Sequence, residues 1–230
     1  MTIAPAGLAP RRCHLRDSDH RYVWQPTGEE MAISVTGVCS FFKEPYSGPP
    51  QAAWRGTHVH RAMESICTGK PFPSENSPEG INCSDWFTQL QGMKFWDQIE
   101  VIACEFTMVN TRKSLGGQFD LLCRYKGKTL LVDLKTKSKW WSPPERTKKD
   151  GSPNPEGIAE LLKYSQQAGG YLELLQSGDD AHSPPWVDEC RTLVVTPTQT
   201  KWLSAMQPDD CSTDWQAAWG SYAAAIKSTF

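Results

Sequence analysis

Asp120, Asp133 and Lys135 stand in one short stretch, residues 116–137, with the sequence GGQFDLLCRYKGKTLLVDLKTK. Two carboxylates with an ammonium beside them make a site for a divalent cation and a charged phosphate ester. Hard cations take oxygen ligands, and the charge they bring can polarise a phosphoryl group. That chemistry requires the three side chains to meet. The segments on either side of residues 125–128 alternate or run apolar, so they predict two strands joined by a turn at Lys126–Gly127. Pairing there brings Asp120 and Asp133 toward one end of a sheet. The spacing of two puts Lys135 on the same face as Asp133.

Further polar residues recur at useful spacings. In RGTHVHRAMES, His60 and Glu64 are four apart and share a helix face. His60 is either a metal ligand or a residue that packs or caps within its helix. Glu64 either reaches a metal through water or pairs with Arg61 or Lys70. Glu105, on a strand before the hairpin, either approaches the site or solvates a strand end. Gln167 and Tyr171, again four apart, engage substrate, brace the site or form a polar stripe on a packed helix. Trp140 and Trp141 follow the second strand directly. They stack on bases beside neighbouring cations, or they anchor a loop in the core.

The whole chain constrains these readings. It has 230 residues and a net charge of −2, with a mean hydropathy of −0.51. These values fit a globular domain and exclude a generic polycation that coats nucleic acid. No apolar run approaches the roughly 20 residues needed to span a bilayer, so no membrane partner is expected. The N-terminus lacks the basic-then-apolar order of a secretory signal. Eight dispersed cysteines form no CxxC pair, so mostly buried, reduced thiols and a cytoplasmic location are expected. Charge is uneven along the chain. Residues 111–149 hold eleven Lys or Arg against three Asp or Glu, whereas residues 173–230 hold three against eight. A positive surface around an acidic centre suits a polyanion that must meet bound metal ions.

The elements that must position the site can be placed from periodicity. Residues 1–30 read as an irregular N-terminal arm, and residues 31–230 as a single domain. Helices are expected at 54–66, 86–99 and 158–175, and helical structure over 197–230 with a break near 208–211. Strands are expected at 101–109, in the hairpin at 117–135, and at 191–196. Residues 138–156, rich in proline and basic side chains, read as a long flap-like loop. The order predicts an α/β fold with a small central mixed sheet flanked by helices.

The motifs resemble those of the PD-(D/E)XK nuclease superfamily, especially its RecB-like branch, relatives of the mitochondrial genome maintenance exonuclease, and phage exonucleases. That branch carries G-x-x-x-H on an early helix, G-x-x-D and (D/E)-x-K on successive strands, and Q-x-x-x-Y on a later helix. Here the segments are Gly56-Thr-His-Val-His60, Gly117-Gln-Phe-Asp120, Asp133-Leu-Lys135 and Gln167-Ala-Gly-Gly-Tyr171, in that order. SVTGV at 34–38 also looks like the segment preceding the helix in such exonucleases, and the resemblance covers residues 34–171. Phe119 stands where the superfamily name has proline.

The resemblance implies a restriction-endonuclease-like core and a DNA exonuclease acting on single-stranded DNA or free ends. It assigns catalysis to Asp120, Asp133 and Lys135. Mg²⁺ or Mn²⁺ would be held by Asp120, Asp133, the Leu134 carbonyl and His60, with Glu64, Glu105, Gln167 and Tyr171 as accessory groups. An imidazole ligand tilts preference toward Mn²⁺. Nucleic-acid contacts are expected from Trp140, Trp141, Lys137, Lys139, Arg146, Lys148 and Lys149. No iron–sulfur cluster is expected, because the clustered cysteines of such members are missing. The residues identify no protein partner. Alternatives are an endonuclease, a noncatalytic nucleic-acid-binding protein on a nuclease-like scaffold, or an enzyme for a small phosphorylated substrate.

Overall fold

The computed structural model describes residues 12–16, 19–43, 49–179 and 186–228. Its centre is a six-stranded mixed sheet. Strands β5 (Ile99–Asn110), β6 (Leu115–Tyr125) and β7 (Lys128–Thr136) run antiparallel in series. β8 (Glu189–Val195) pairs parallel to β7, and β9 (Thr200–Trp202) closes the far edge antiparallel to β8. The β6–β7 turn falls at Lys126–Gly127, whose φ values of 48° and 78° suit a tight hairpin turn.

The pairing of β6 and β7 ends at Leu121–Val132. Beyond that point the same side of β6 pairs instead with β4 (Ile33–Ser34), in parallel, at Leu115 and Gly116. The strands therefore fork just past Leu121. Asp120 is the first residue inside the fork.

Alternation along β7 sends its side chains to two cores. Leu131 joins Phe119, Leu122, Tyr171 and Trp215 under α1 (Val35–Ser40), α4 (Pro155–Ser177) and α5 (Pro208–Lys227). Leu130, Val132 and Leu134 face Val59, Met63, Phe87 and Leu90 of α2 (Pro50–Thr68) and α3 (Ser84–Gln91). Helices thus flank the central mixed sheet on both faces. α2 opens on Pro50 in its first turn and stops at Gly69, whose left-handed φ of 68° ends the helix. α4 opens on Asn154, whose side chain accepts from the Gly157 amide.

Three sequence expectations are corrected. The described part of residues 13–30 is not irregular. Strands β1 (Cys13–Arg16), β2 (Arg21–Trp24) and β3 (Glu29–Glu30) form an antiparallel sheet. Cys13, Trp24 and Met31 pack with Val109 of β5, and Arg16 ties the sheet together through Asp19 and Glu30. Residues 1–11 and 17–18 of that arm lie outside the described residues. The helix expected over 86–99 ends at Gln91. A tight turn follows in which the Trp96 indole donates to the Leu90 carbonyl at 2.6 Å, and Phe95 reaches the rings of Tyr125 and Trp202. Helical structure does not begin at 197, because residues 200–202 extend the sheet. The proline expected to break a helix instead starts one, Pro208 standing in the first turn of α5 where its missing N–H costs nothing. Residues 137–154 contain no helix, and their one bridge joins Thr147 to Pro153.

Candidate active site

The fork between β6 and β7 exposes polar backbone that a continuous ladder would satisfy. Asp120 supplies the missing partner. Its Oδ2 accepts a 2.5 Å hydrogen bond from the Leu134 amide, so one carboxylate oxygen closes the fork. The other oxygen, Oδ1, lies 3.3 Å from His60 Nδ1. His60 reaches it from α2, and the same nitrogen stands 3.2 Å from Glu105 Oε1.

Glu105 is placed by strain. The β5–β6 register pairs Cys104 with Leu121 and Phe106 with Phe119, which sets Glu105 opposite Asp120. Its φ is 47°, a left-handed conformation that costs a non-glycine residue on the order of 1–3 kcal/mol. The carboxylate is then fixed by Gln118, whose amide donates to Glu105 Oε2 and whose carbonyl accepts from the Thr107 hydroxyl at 2.9 Å. Sequence reasoning did not single out Gln118. It lies two residues before Asp120 on the same strand, and that spacing was the available signal.

On β7, Asp133 and Lys135 share a face, with Lys135 Nζ 2.9 Å from Asp133 Oδ1. The ammonium also donates to Gln167 Oε1 at 2.9 Å, and Gln167 Nε2 donates to the Tyr171 hydroxyl at 2.8 Å. Gln167 and Tyr171 are both buried, so they brace the lysine from α4. All of these groups except Leu134 line one cavity of about 890 Å³, together with Tyr22, Gly56 and Glu64. Glu64 is 2.6 Å from Lys70, the ion pair weighed for it above.

Electrostatics follow from burial and crowding. Burial alone would lower the His60 pKa. The charge of Asp120 and hydrogen bonds to Asp120 and Glu105 outweigh it, and the pKa lies well above its ordinary value. Burial opposes ionisation of Asp120 as well, but His60, Lys135 and the Leu134 amide hold its pKa below normal. For Asp133 burial wins over the attraction of Lys135, and its pKa is pushed up to about 6. Lys135 is raised despite its burial, by the charges of Asp133 and Asp120, and so is held as an ammonium.

His60, Glu105 and Asp120 each offer a ligand atom within 4.8 Å of the others. Asp133 Oδ2 is buried without a hydrogen-bond partner, although Lys135 Nζ lies 2.9 Å away. An imidazole and the carboxylates of Glu105, Asp120 and Asp133, the last with one buried oxygen that makes no hydrogen bond, fit a divalent cation bound through oxygen and nitrogen. A proton on His60 and such a cation would neutralise the same two carboxylates, so metal binding would release that proton.

The residues expected to meet nucleic acid do not form one surface. Trp140 is 82% exposed, with Lys139 Nζ 4.7 Å above its ring. Trp141 turns inward against Tyr164, Val194 and Leu203. Lys137 is bound to Glu160 at 2.7 Å. Arg146, Lys148 and Lys149 are exposed on the following loop.

No protein-family model and no curated protein matches the chain. Among solved structures it is similar to a crystal structure described as that of a "putative exonuclease" from Eubacterium rectale. The TM-score is 0.50 at 12% identity, over 80% of this chain and 76% of that one. A structure designated SSO0001 aligns at a TM-score of 0.37 and 16% identity, over 85% of this chain and 77% of that one. The first likeness is one of fold, a central mixed sheet flanked by helices. Among the described residues no helix is long and apolar enough to cross a membrane.

Proposed function

We propose that the chain is a metal-dependent deoxyribonuclease of the PD-(D/E)XK superfamily, in its RecB-like branch, acting as an exonuclease on single-stranded or end-bearing DNA. The observation that carries this reading is the meeting of His60, Glu105, Asp120, Asp133 and Lys135 in one cavity. His60, Glu105, Asp120 and Asp133 would hold Mg²⁺ or Mn²⁺, with the Leu134 carbonyl as a further oxygen donor. When bound, the cation supplies positive charge to the phosphodiester oxygens and lowers the pKa of a water molecule.

The protein's own groups do the rest. Hydrolysis joins a water oxygen to phosphorus and breaks the bond to the leaving oxygen, and charge accumulates on the nonbridging oxygens. Lys135, held as an ammonium by Asp133 and Asp120 and positioned by Asp133 and Gln167, orients the water and stabilises that charge. A group already protonated serves poorly as a general base, so its role is orientation and electrostatics. Trp140 and Lys139 are the proposed contacts to unpaired bases and phosphates, and the exposed Arg146, Lys148 and Lys149 are further proposed phosphate contacts, whereas Lys137 is tied to Glu160 and Trp141 packs inward.

The test is cleavage of end-labelled and circular DNA, single- and double-stranded, with Mg²⁺, Mn²⁺ or EDTA. The expected result is metal-dependent shortening of linear strands and intact circles. Cleaved circles would replace the exonuclease reading with an endonuclease, and intact DNA under every condition would remove the nuclease reading.

A further inference from the structure

Part of the cavity wall comes from the N-terminal sheet. His14, Tyr22 and Gln25, with His20 at the β1–β2 turn, line the same space as His60, Glu105, Asp120 and Lys135. Tyr22 is set there by shape. A β-carbon on Gly116 would stand 2.4 Å from Tyr22 Cβ and Cγ, so only glycine at 116 lets this side chain lie against β6. The first glycine of GGQFD therefore makes room for a residue more than ninety positions earlier. Cys13, Trp24, Met31 and Val109 pack beside the ring and fix the strand that carries it.

Tyr22 is only half-buried, so its hydroxyl stands open to the cavity it lines. Among the described residues this hydroxyl meets no hydrogen-bond partner. Burial, and then the charges of Asp120 and Glu105, hold the phenol well above its ordinary pKa, so it stays a neutral O–H donor. The nearby carboxylates of Glu105 and Asp120 are acceptors proposed to hold the cation. An uncharged donor can meet a phosphate oxygen there without displacing the cation.

We propose that Tyr22 is a substrate-touching residue whose hydroxyl donates a hydrogen bond to a nonbridging oxygen of the scissile phosphodiester. This rests on the nuclease reading above and extends the catalytic site to the N-terminal sheet.

Tyr22→Phe keeps the ring against Gly116 and removes only the donor. The kcat on end-labelled single-stranded DNA should fall roughly 10-fold to 100-fold. The Mn²⁺ concentration for half-maximal activity and the melting temperature should not change. Wild-type turnover by Tyr22→Phe overturns the proposal. So does an altered Mn²⁺ requirement with an unchanged maximal rate, which would make Tyr22 a support for the carboxylates. A second measurement needs no cleavage: calorimetric titration of the Ca²⁺-loaded protein with thymidine 5′-monophosphate. Affinity should drop several-fold in Tyr22→Phe, and equal affinities contradict the contact. A wild-type protein that binds the nucleotide through Tyr22 but cleaves no DNA removes the nuclease reading and leaves this contact standing. One that does neither removes both.

Discussion

The β6–β7 hairpin and the loop over 137–154 are adjacent in sequence and both rich in charge, but they spend that charge differently. In the hairpin, each ionised group of the site answers another: Asp120 with His60 and the Leu134 amide, Asp133 with Lys135, Lys135 with Gln167. In the loop the side chains diverge, one tryptophan outward and its neighbour into the core. The basic run of residues 111–149 is also less of a field than its composition implies. Lys113 pairs with Glu173, Lys128 with Glu189, Arg124 with Glu100 and Lys137 with Glu160. Two of those acids belong to the acidic C-terminal part, so folding cancels much of the asymmetry. Chemistry here comes from convergence at short range, and a count of local charge overstates the attraction for a polyanion.

The sharpest way to break this contrast is to remove charge from the hairpin while keeping its shape. Asp120→Asn, Asp133→Asn and Lys135→Ala should each lower metal-dependent cleavage by about 100-fold or more, with circular dichroism showing a retained fold. Wild-type rates from any one folded variant would remove that residue from the mechanism. The next effect concerns metal alone. Saturating Mn²⁺ at about 100 times its Kd should stabilise the wild-type protein by roughly 2.7 kcal/mol, measured as a rise in melting temperature. His60→Ala and Glu105→Gln should lose most of that rise, and an unchanged metal titration would return either residue to a structural role. The smallest effect belongs to the loop. Lys148→Ala with Lys149→Ala should leave kcat unchanged and raise KM by about 10-fold or less at low salt, with a shallower salt dependence. A large fall in kcat would show that the loop takes part in chemistry and erase the distinction.

How much of this was legible depended on the range of the interaction that decides each feature. The hairpin, its turn and the shared face of Asp133 and Lys135 follow from a period of two and one glycine, all local. The roles of Gln167 and Tyr171 were half legible: a four-residue spacing shows a common helix face but not that the face meets Lys135. Glu105 was half legible too: its place on the strand before the hairpin left open whether it approaches the site or solvates a strand end. Its orientation depends on a left-handed backbone opposite Asp120, set by the neighbouring strand. The N-terminal strands were hidden for another reason. CHLR and EE carry little alternation, and their order depends on packing against β5 and on ion pairs at Arg16. Tyr22 was hidden with them.

The hydrogen bond from Leu134 to Asp120 has a practical consequence. One oxygen of this carboxylate fastens two diverging strands, and the other faces His60. An alanine scan would therefore misjudge position 120. Alanine abandons a buried amide as well as a ligand, and the abandoned amide alone costs about 1–3 kcal/mol. Asparagine keeps an acceptor for the strand and gives up the charge. The gap between those two substitutions would tell mechanic from chemist at a single residue, and library screens for hardier variants should find this position closed to both ambitions at once.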